Sequence, residues 1–227
     1  RMGLTPEREV YLAHARRILG EIQDLGELLG ASKSSPQGLL RVNATLGFGR
    51  THIAPLISRF VRQHPEVKID LEEHLSSDVL HAVQEGAADI GICNASAVGQ
   101  GAHALQLQPY RQDQLALIVP AAHALSAQAA INFADTLDFD HVGLHANSSI
   151  ALAMHQAAAQ AGRAIRLRIR VTGLDAMCRM IDNGLGVGVM PARAFALMRG
   201  TSPLVAVPLA DAWARRTLGL VARDFAT

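Results

Sequence analysis

Four short stretches of this chain carry the residue types that hold small polar molecules. The first is Asn43-Ala-Thr45-Leu46-Gly47-Phe48-Gly49, the second Asn94-Ala95-Ser96, the third His145-Ala-Asn147-Ser148-Ser149, and the fourth Thr172-Gly173. Each follows an apolar run that reads as a strand, and three of them lead into a helical pattern. Hydroxyls and free backbone N–H groups at helix starts make a ready site for an anion or a small polar ligand. Ordinary helix capping uses the same residue types, so each stretch alone is equally a cap. Asn43, Asn94 and Asn147 also open N-x-[ST] triplets, the glycan acceptor pattern. Their position at strand ends favours site and cap chemistry instead.

Catalytic signatures are poor. No GxSxG surrounds Ser148 or Ser149, and the chain has no P-loop, GxGxxG after a strand, or HExxH. His141 and His145 are four apart on a strand-to-loop stretch, which reads as structural histidine rather than a metal site. Asp70, Glu72 and Glu73 lie on a half-exposed strand without the look of an acid–base pair. The expectation is of no enzyme, no cofactor and no metal.

The elements that must position these stretches alternate along the chain. Strands are read at 39–44, 67–71 and 88–93, with helices between them starting near Ile53 and Ser76. The helix at 53–61 places Ile53, Leu56, Ile57, Phe60 and Val61 on one face. This strand–helix–strand grammar predicts a parallel sheet with crossover helices. Two strands follow, Leu105–Tyr110 and Gln114–Val119. A second unit repeats the grammar: a strand at 138–143, a helix from Ser148, the strand "IRLRIRV", a helix from Gly173, and the strand "LGVGVMP". Two last strands, "PLVAVPL" and "RTLGLVA", are expected back in the first sheet. In parallel α/β sheets ligands bind beyond the carboxyl ends of strands, which is where all four stretches fall.

Ahead of this body lies a different pattern. Tyr11, Ala15, Ile18, Ile22, Leu25 and Leu29 follow steps of 4, 3, 4, 3 and 4, the seam of a coiled coil. Thr5 and Pro6 suit its start and Gly30 its stop. A narrow apolar seam ahead of a domain predicts self-association, the other reading being a helix packed on its own domain.

Composition sets bounds. The chain has 227 residues, 49% of them hydrophobic, and a formal net charge of +1. That is enough for a substantial core and offers no overall basic field for nucleic acid. Arg166, Arg168 and Arg170 alternate on one strand face and read as solvated. Cys93 and Cys178 sit in apolar surroundings and read as reduced, buried thiols of an intracellular protein. No signal peptide and no run of about 18 apolar residues occurs. The chain opens on Arg1 rather than Met, which predicts a fragment.

A family resemblance runs along nearly the whole chain. "LTPEREVYLAHARRIL" at 4–19, "GLLRVNA" at 38–44 and "IAPLISRFVRQHPEVKIDL" at 53–71 resemble, in order, successive segments of LysR-type transcriptional regulators. "VQEGAADIGI" at 83–92 and "MCRMIDNGLGVGVMP" at 177–191 continue the series. The resemblance implies an α/β fold of two Rossmann-like subdomains, of type 2 periplasmic-binding-protein architecture, behind a long linker helix. It places the helix at 1–31, one subdomain at 36–113 with 198–227, and the other at 114–197. It further implies a small-molecule effector, polar or carboxylate, in the cleft between them. Carried over by position, the effector residues are Thr45, Leu46, Gly47, Phe48, Asn94, Ala95, Ser96, His145, Ser148, Ser149 and Thr172. Leu46 and Phe48 stand where many relatives offer hydroxyls, which predicts a more apolar pocket. A cytoplasmic homodimer or homotetramer follows, touching DNA only through a domain that would precede Arg1, and no membrane. A periplasmic-type solute-binding protein shares the fold and is the alternative.

Overall fold

A computed structural model describes residues 36–98, 105–200 and 202–225, together with Ala15. Of the opening seam only Ala15 falls among them, in helical conformation; Tyr11, Ile18, Ile22, Leu25 and Leu29 lie outside. Among the described residues are nine strands and five α-helices, in the order β1 (Gly38–Thr45), α1 (Ala54–Gln63), β2 (Val67–His74), α2 (Ser76–Gln84), β3 (Ile90–Asn94), β4 (Gln106–Pro120), β5 (His141–Gly143), α3 (Ser149–Gln160), β6 (Leu167–Arg170), α4 (Leu174–Asp182), β7 (Gly188–Pro191), α5 (Ala192–Met198), β8 (Leu204–Pro208) and β9 (Arg215–Ala222).

The first subdomain orders its strands β2-β1-β3-β9-β4. β1 runs parallel to β2 and β3, while β9 runs antiparallel to β3 and to the first part of β4. Successive side chains on β3 point to opposite faces, so Ile92 enters one core with Phe48 and Ile53, and Cys93 enters another with Val79 and Val83 of α2. On α1 the expected apolar face is only partly covered. Ile53 just ahead of it is buried, whereas Leu56 and Phe60 are exposed.

β4 does not break where two strands are expected. The polar run Arg111-Gln112-Asp113 between those two expected strands stays in the ladder opposite Leu218, Thr217 and Arg216. A register shift between Pro109 and Arg111 absorbs the irregularity. The strand then continues as Leu115–Pro120 into the second subdomain, where β7 and β8 take its two edges.

This corrects the expectation for "PLVAVPL". β8 pairs with Ala116–Pro120 rather than returning to the first sheet, and only β9 goes back. The reason is the free edge: with β7 on one side of β4, the other side needs a partner. Leu204 and Val207 of β8 accordingly bury in the second subdomain's cores. Its parallel strands β5 and β6 join through the bonds Val142 N–H to Val187 O (2.8 Å) and Val187 N–H to Asp140 O (2.9 Å).

Leu115, Ala116, Leu117, Ile118 and Val119 are all 0% exposed. The odd positions pack with Ile150 and Met154 of α3, and the even ones with Met177, Ile181 and Phe195 of α4 and α5. A strand covered on both faces needs a continuous apolar run rather than alternation, as "LALIV" supplies.

His141 is wholly buried, its Nδ1 donating to Phe139 O at 3.0 Å and its Nε2 lying 3.2 Å from Thr136 Oγ. Burial pushes its pKa down, with the Phe139 carbonyl and Asp140 opposing. Burial likewise raises both thiols, Cys93 and Cys178, to about 11, so they stay protonated and unreactive at neutral pH.

Two outcomes follow. Leu117→Ala should cost about 2–5 kcal/mol, read as a lower urea midpoint with unchanged slope. Because the folded state refuses a proton that the unfolded imidazole accepts, stability should fall as pH drops below about 6.5. His141→Gln should flatten that loss in urea titrations between pH 8 and 5.

Candidate functional site

The carboxyl ends of β1 and β3 face those of the second subdomain across a cavity of about 350 Å3. That size suits a small metabolite. From the first subdomain β1 delivers Thr45, Leu46, Gly47 and Phe48, and the β2–α2 junction delivers Glu73, His74, Leu75 and Ser76. From the second come Ser148, Ser149 and Ile150 at the start of α3, Thr172 to Asp175 at the start of α4, and Pro191, Arg193, Ala194 and Met198 from β7 and α5. The crossing strands add Arg111, Gln112 and Asp113 from β4, and Arg216 and Leu218 from β9.

One wall is aromatic and apolar. After β1 the chain makes a π-helical turn, Gly49–Ile53, which sets Phe48 and His52 four residues apart on one side. Their rings stack at 4.6 Å with 9° between planes, and Tyr110 meets Phe48 edge-on at 6.3 Å. Gly47 sits at φ +80°, and a Cβ there would lie 2.6 Å from Leu174 Cδ1 of α4. The two subdomains thus approach closely at this glycine.

Polar and charged groups come from the second subdomain and from the crossing strands. Ser148 caps α3, its Oγ accepting from Ala151 N–H at 3.2 Å. The helix therefore starts at the cavity, with its first N–H groups and positive dipole end toward it. Arg111 lies over the Tyr110 ring at 5.9 Å. Arg216 and Asp113 form an ion pair with side chains only 10% and 9% exposed. His52 is held below the usual histidine range, first by burial, then by Arg111 and Arg193, with Asp113 opposing. A neutral imidazole and several guanidiniums therefore share one cavity.

Of the residues expected from sequence, Thr45, Leu46, Gly47, Phe48, Asn94, Ser148, Ser149 and Thr172 line this cavity. Ala95, Ser96 and His145 do not. Asn94 Oδ1 accepts from Ser96 N–H at 3.4 Å, which curls Ala95–Ala97 into a short 3-10 turn. His145 Nδ1 accepts from Asn147 N–H at 3.2 Å and closes its own loop. Sequence reading missed the charged residues Arg111, Asp113, Arg193 and Arg216, and also His52. The available signal for two of them was the polar run inside an otherwise apolar strand, at Arg111-Gln112-Asp113.

A family model for the LysR substrate binding domain matches residues 33–226. The chain belongs to that family. Among curated relatives of this LysR domain, a probable RuBisCO transcriptional regulator of Trichormus variabilis is 24% identical over 224 residues. The match covers 97% of this chain and 66% of the relative, so the chain spans just under two thirds of that protein's length. An HTH-type transcriptional regulator of Xanthomonas campestris pv. campestris is 36% identical over 92 residues, 40% of this chain and 26% of that one.

Solved structures share the LysR domain's fold. The regulatory domain of Synechocystis CcmR in complex with 2-PG aligns with a TM-score of 0.73 at 19% identity, covering 82% of this chain and 87% of the other. The effector binding domain of QuiR in complex with shikimate aligns at 0.69 and 14% identity, covering 82% and 88%. A full-length OxyR variant from Pseudomonas aeruginosa aligns at 0.75 and 22% identity, covering 97% and 70%. No described helix is long and apolar enough to cross a membrane, and no described cluster of His, Cys, Asp or Glu could hold a metal ion.

Gly47→Ala should destabilise this LysR domain more than Gly184→Ala. Gly184 has a similar φ of +74° but nothing within 4 Å of an added Cβ. The shared backbone strain is about 1–2 kcal/mol. The excess at Gly47, measured by urea denaturation, reports the contact with Leu174.

Proposed function

We propose that the chain is the effector-sensing part of a DNA-binding transcriptional regulator, and that its ligand is a small carboxylate with an apolar body. The observation that carries this is the cavity itself, lined by the apolar side chains of Phe48 and Leu174 together with Arg111, Arg193, Arg216 and the start of α3. Guanidiniums and helix N-terminal N–H groups suit a carboxylate. The stacked Phe48–His52 pair suits a flat or compact hydrocarbon frame. Thr45, Ser148, Ser149 and Thr172 supply hydroxyls for orientation. The bound molecules of the CcmR and QuiR structures, 2-PG and shikimate, support a small-molecule ligand here.

Both subdomains contribute to the wall, so a ligand that binds one relative setting better shifts the population toward it. The Tyr11–Leu29 stripe would pair two copies in the cytoplasm and pass that setting to a DNA-contacting segment outside this chain. Regulation of this kind requires binding and a two-state element, and no catalytic group.

Thermal denaturation with a panel of small carboxylates, amino acids and sugar phosphates tests the reading. A cognate carboxylate at about 100 times its Kd should raise the midpoint by roughly 5–10 °C. Thr45→Val with Ser148→Ala should remove most of that shift. If only sugar phosphates raise the midpoint, the carboxylate assignment is wrong.

A further inference from the structure

The most buried charges in the cleft wall are spent on each other. Asp113 and Arg216 stand opposite in the β4–β9 ladder, and their side chains pair. For stability alone such a pair is a poor choice. Desolvating two charges offsets most of their attraction, and a well-packed apolar pair does as well or better. The pair is also incompletely satisfied. One guanidinium arm meets Asp113, the other reaches Ser149 Oγ at 3.4 Å, and Nε is buried with no hydrogen-bond partner. A guanidinium offers five donors. Arg216 therefore keeps donor capacity beside Ser149, the first residue of α3, in the cavity wall.

The charges around it balance. Arg111, Arg193 and Arg216 line the cavity against Glu73, Asp113 and Asp175. A ligand bearing two negative charges would meet no surplus of positive charge, whereas one carboxylate could be matched by one guanidinium drawn from its internal partner. We infer that Asp113 is a built-in competitor for the effector's carboxylate. It holds Arg216 in the absence of the ligand, yields part of that contact when the anion seats beside Ser149, and so restricts the cleft to ligands with a single negative charge. This inference rests on the carboxylate reading above. It makes Arg216 the residue that reads the anion and Asp113 the residue that sets its charge. The same exchange couples binding to subdomain setting, because Arg216 ties the crossing strands to α3 of the second subdomain.

Calorimetric titration of the chain with benzoate, its neutral isostere benzamide and the dicarboxylate isophthalate tests the inference. Asp113→Asn keeps the shape and an acceptor for Arg216 but removes the charge. It should tighten benzoate roughly tenfold, the effect of removing one partly screened charge nearby. Benzamide should be unchanged, and isophthalate should gain more than benzoate. Arg216→Gln should weaken benzoate by about tenfold or more and leave benzamide unaffected. Asp113→Ser serves if Asp113→Asn does not fold, with the same gain expected. If wild type binds benzoate and neither Asp113 variant tightens it, the pair is structural and the inference fails while the carboxylate reading stands. If none of the chains binds benzoate or isophthalate, the carboxylate reading fails and takes the inference with it.

Discussion

One strand belongs to two sheets, and everything else is arranged around that fact. β4 runs unbroken from Gln106 to Pro120, bonded to β9 in its first part and to β7 and β8 in its last. Its apolar end is sealed on both faces, so it cannot shift register without moving Leu115–Val119 into the wrong cores. The second crossing is tied to it. Gln114 Nε2 donates to Leu209 O at 2.9 Å, and Leu209 N–H donates to Leu115 O at 3.1 Å. Two subdomains linked in this way hold a cleft between them, and the shared strand keeps the walls in registry.

The cleft's chemistry follows from the same strand. Arg111, Gln112 and Asp113 fall where β4 passes between the subdomains, the stretch of it that faces a cavity rather than a core. Gln112 Nε2 donates to Thr217 Oγ1 at 3.1 Å, and Asp113 pairs with Arg216, so the polar groups are held by the ladder that carries them. Each strand end adds small residues that let backbone come close: Gly47 against Leu174 is the tightest of these approaches between the subdomains. The result is a cavity lined by apolar side chains such as Phe48 and Leu174 and by charged groups of β4, β9 and α5.

The strand ends were legible because their requirements are local. A helix start needs a cap such as Ser148, and a close approach needs a glycine such as Gly47; both are written in the residues themselves. The short apolar runs at 39–44, 88–93 and 115–119 likewise announce buried strands, and the family resemblance ordered them. The fate of "PLVAVPL" was not legible. Its alternation suits any half-filled sheet edge, and which edge is free depends on β7 having taken the other. Ala95, Ser96 and His145 do not line the cavity, and Ser96 N–H and His145 Nδ1 are used within their own turns.

Residues 36–225 by themselves determined an α/β body of alternating strands and helices, the caps at its strand ends, and the family to which it belongs. These rest on period, propensity and short-range hydrogen bonding, interactions between residues a few positions apart. Only the tertiary structure decided that β4 is one strand, that β8 joins the second sheet, and that Asp113 meets Arg216 from 103 positions away. An arginine in sequence is a solvated charge until something buries it. The ladder between β4 and β9 buries this one beside a helix start, and makes it part of the cavity wall.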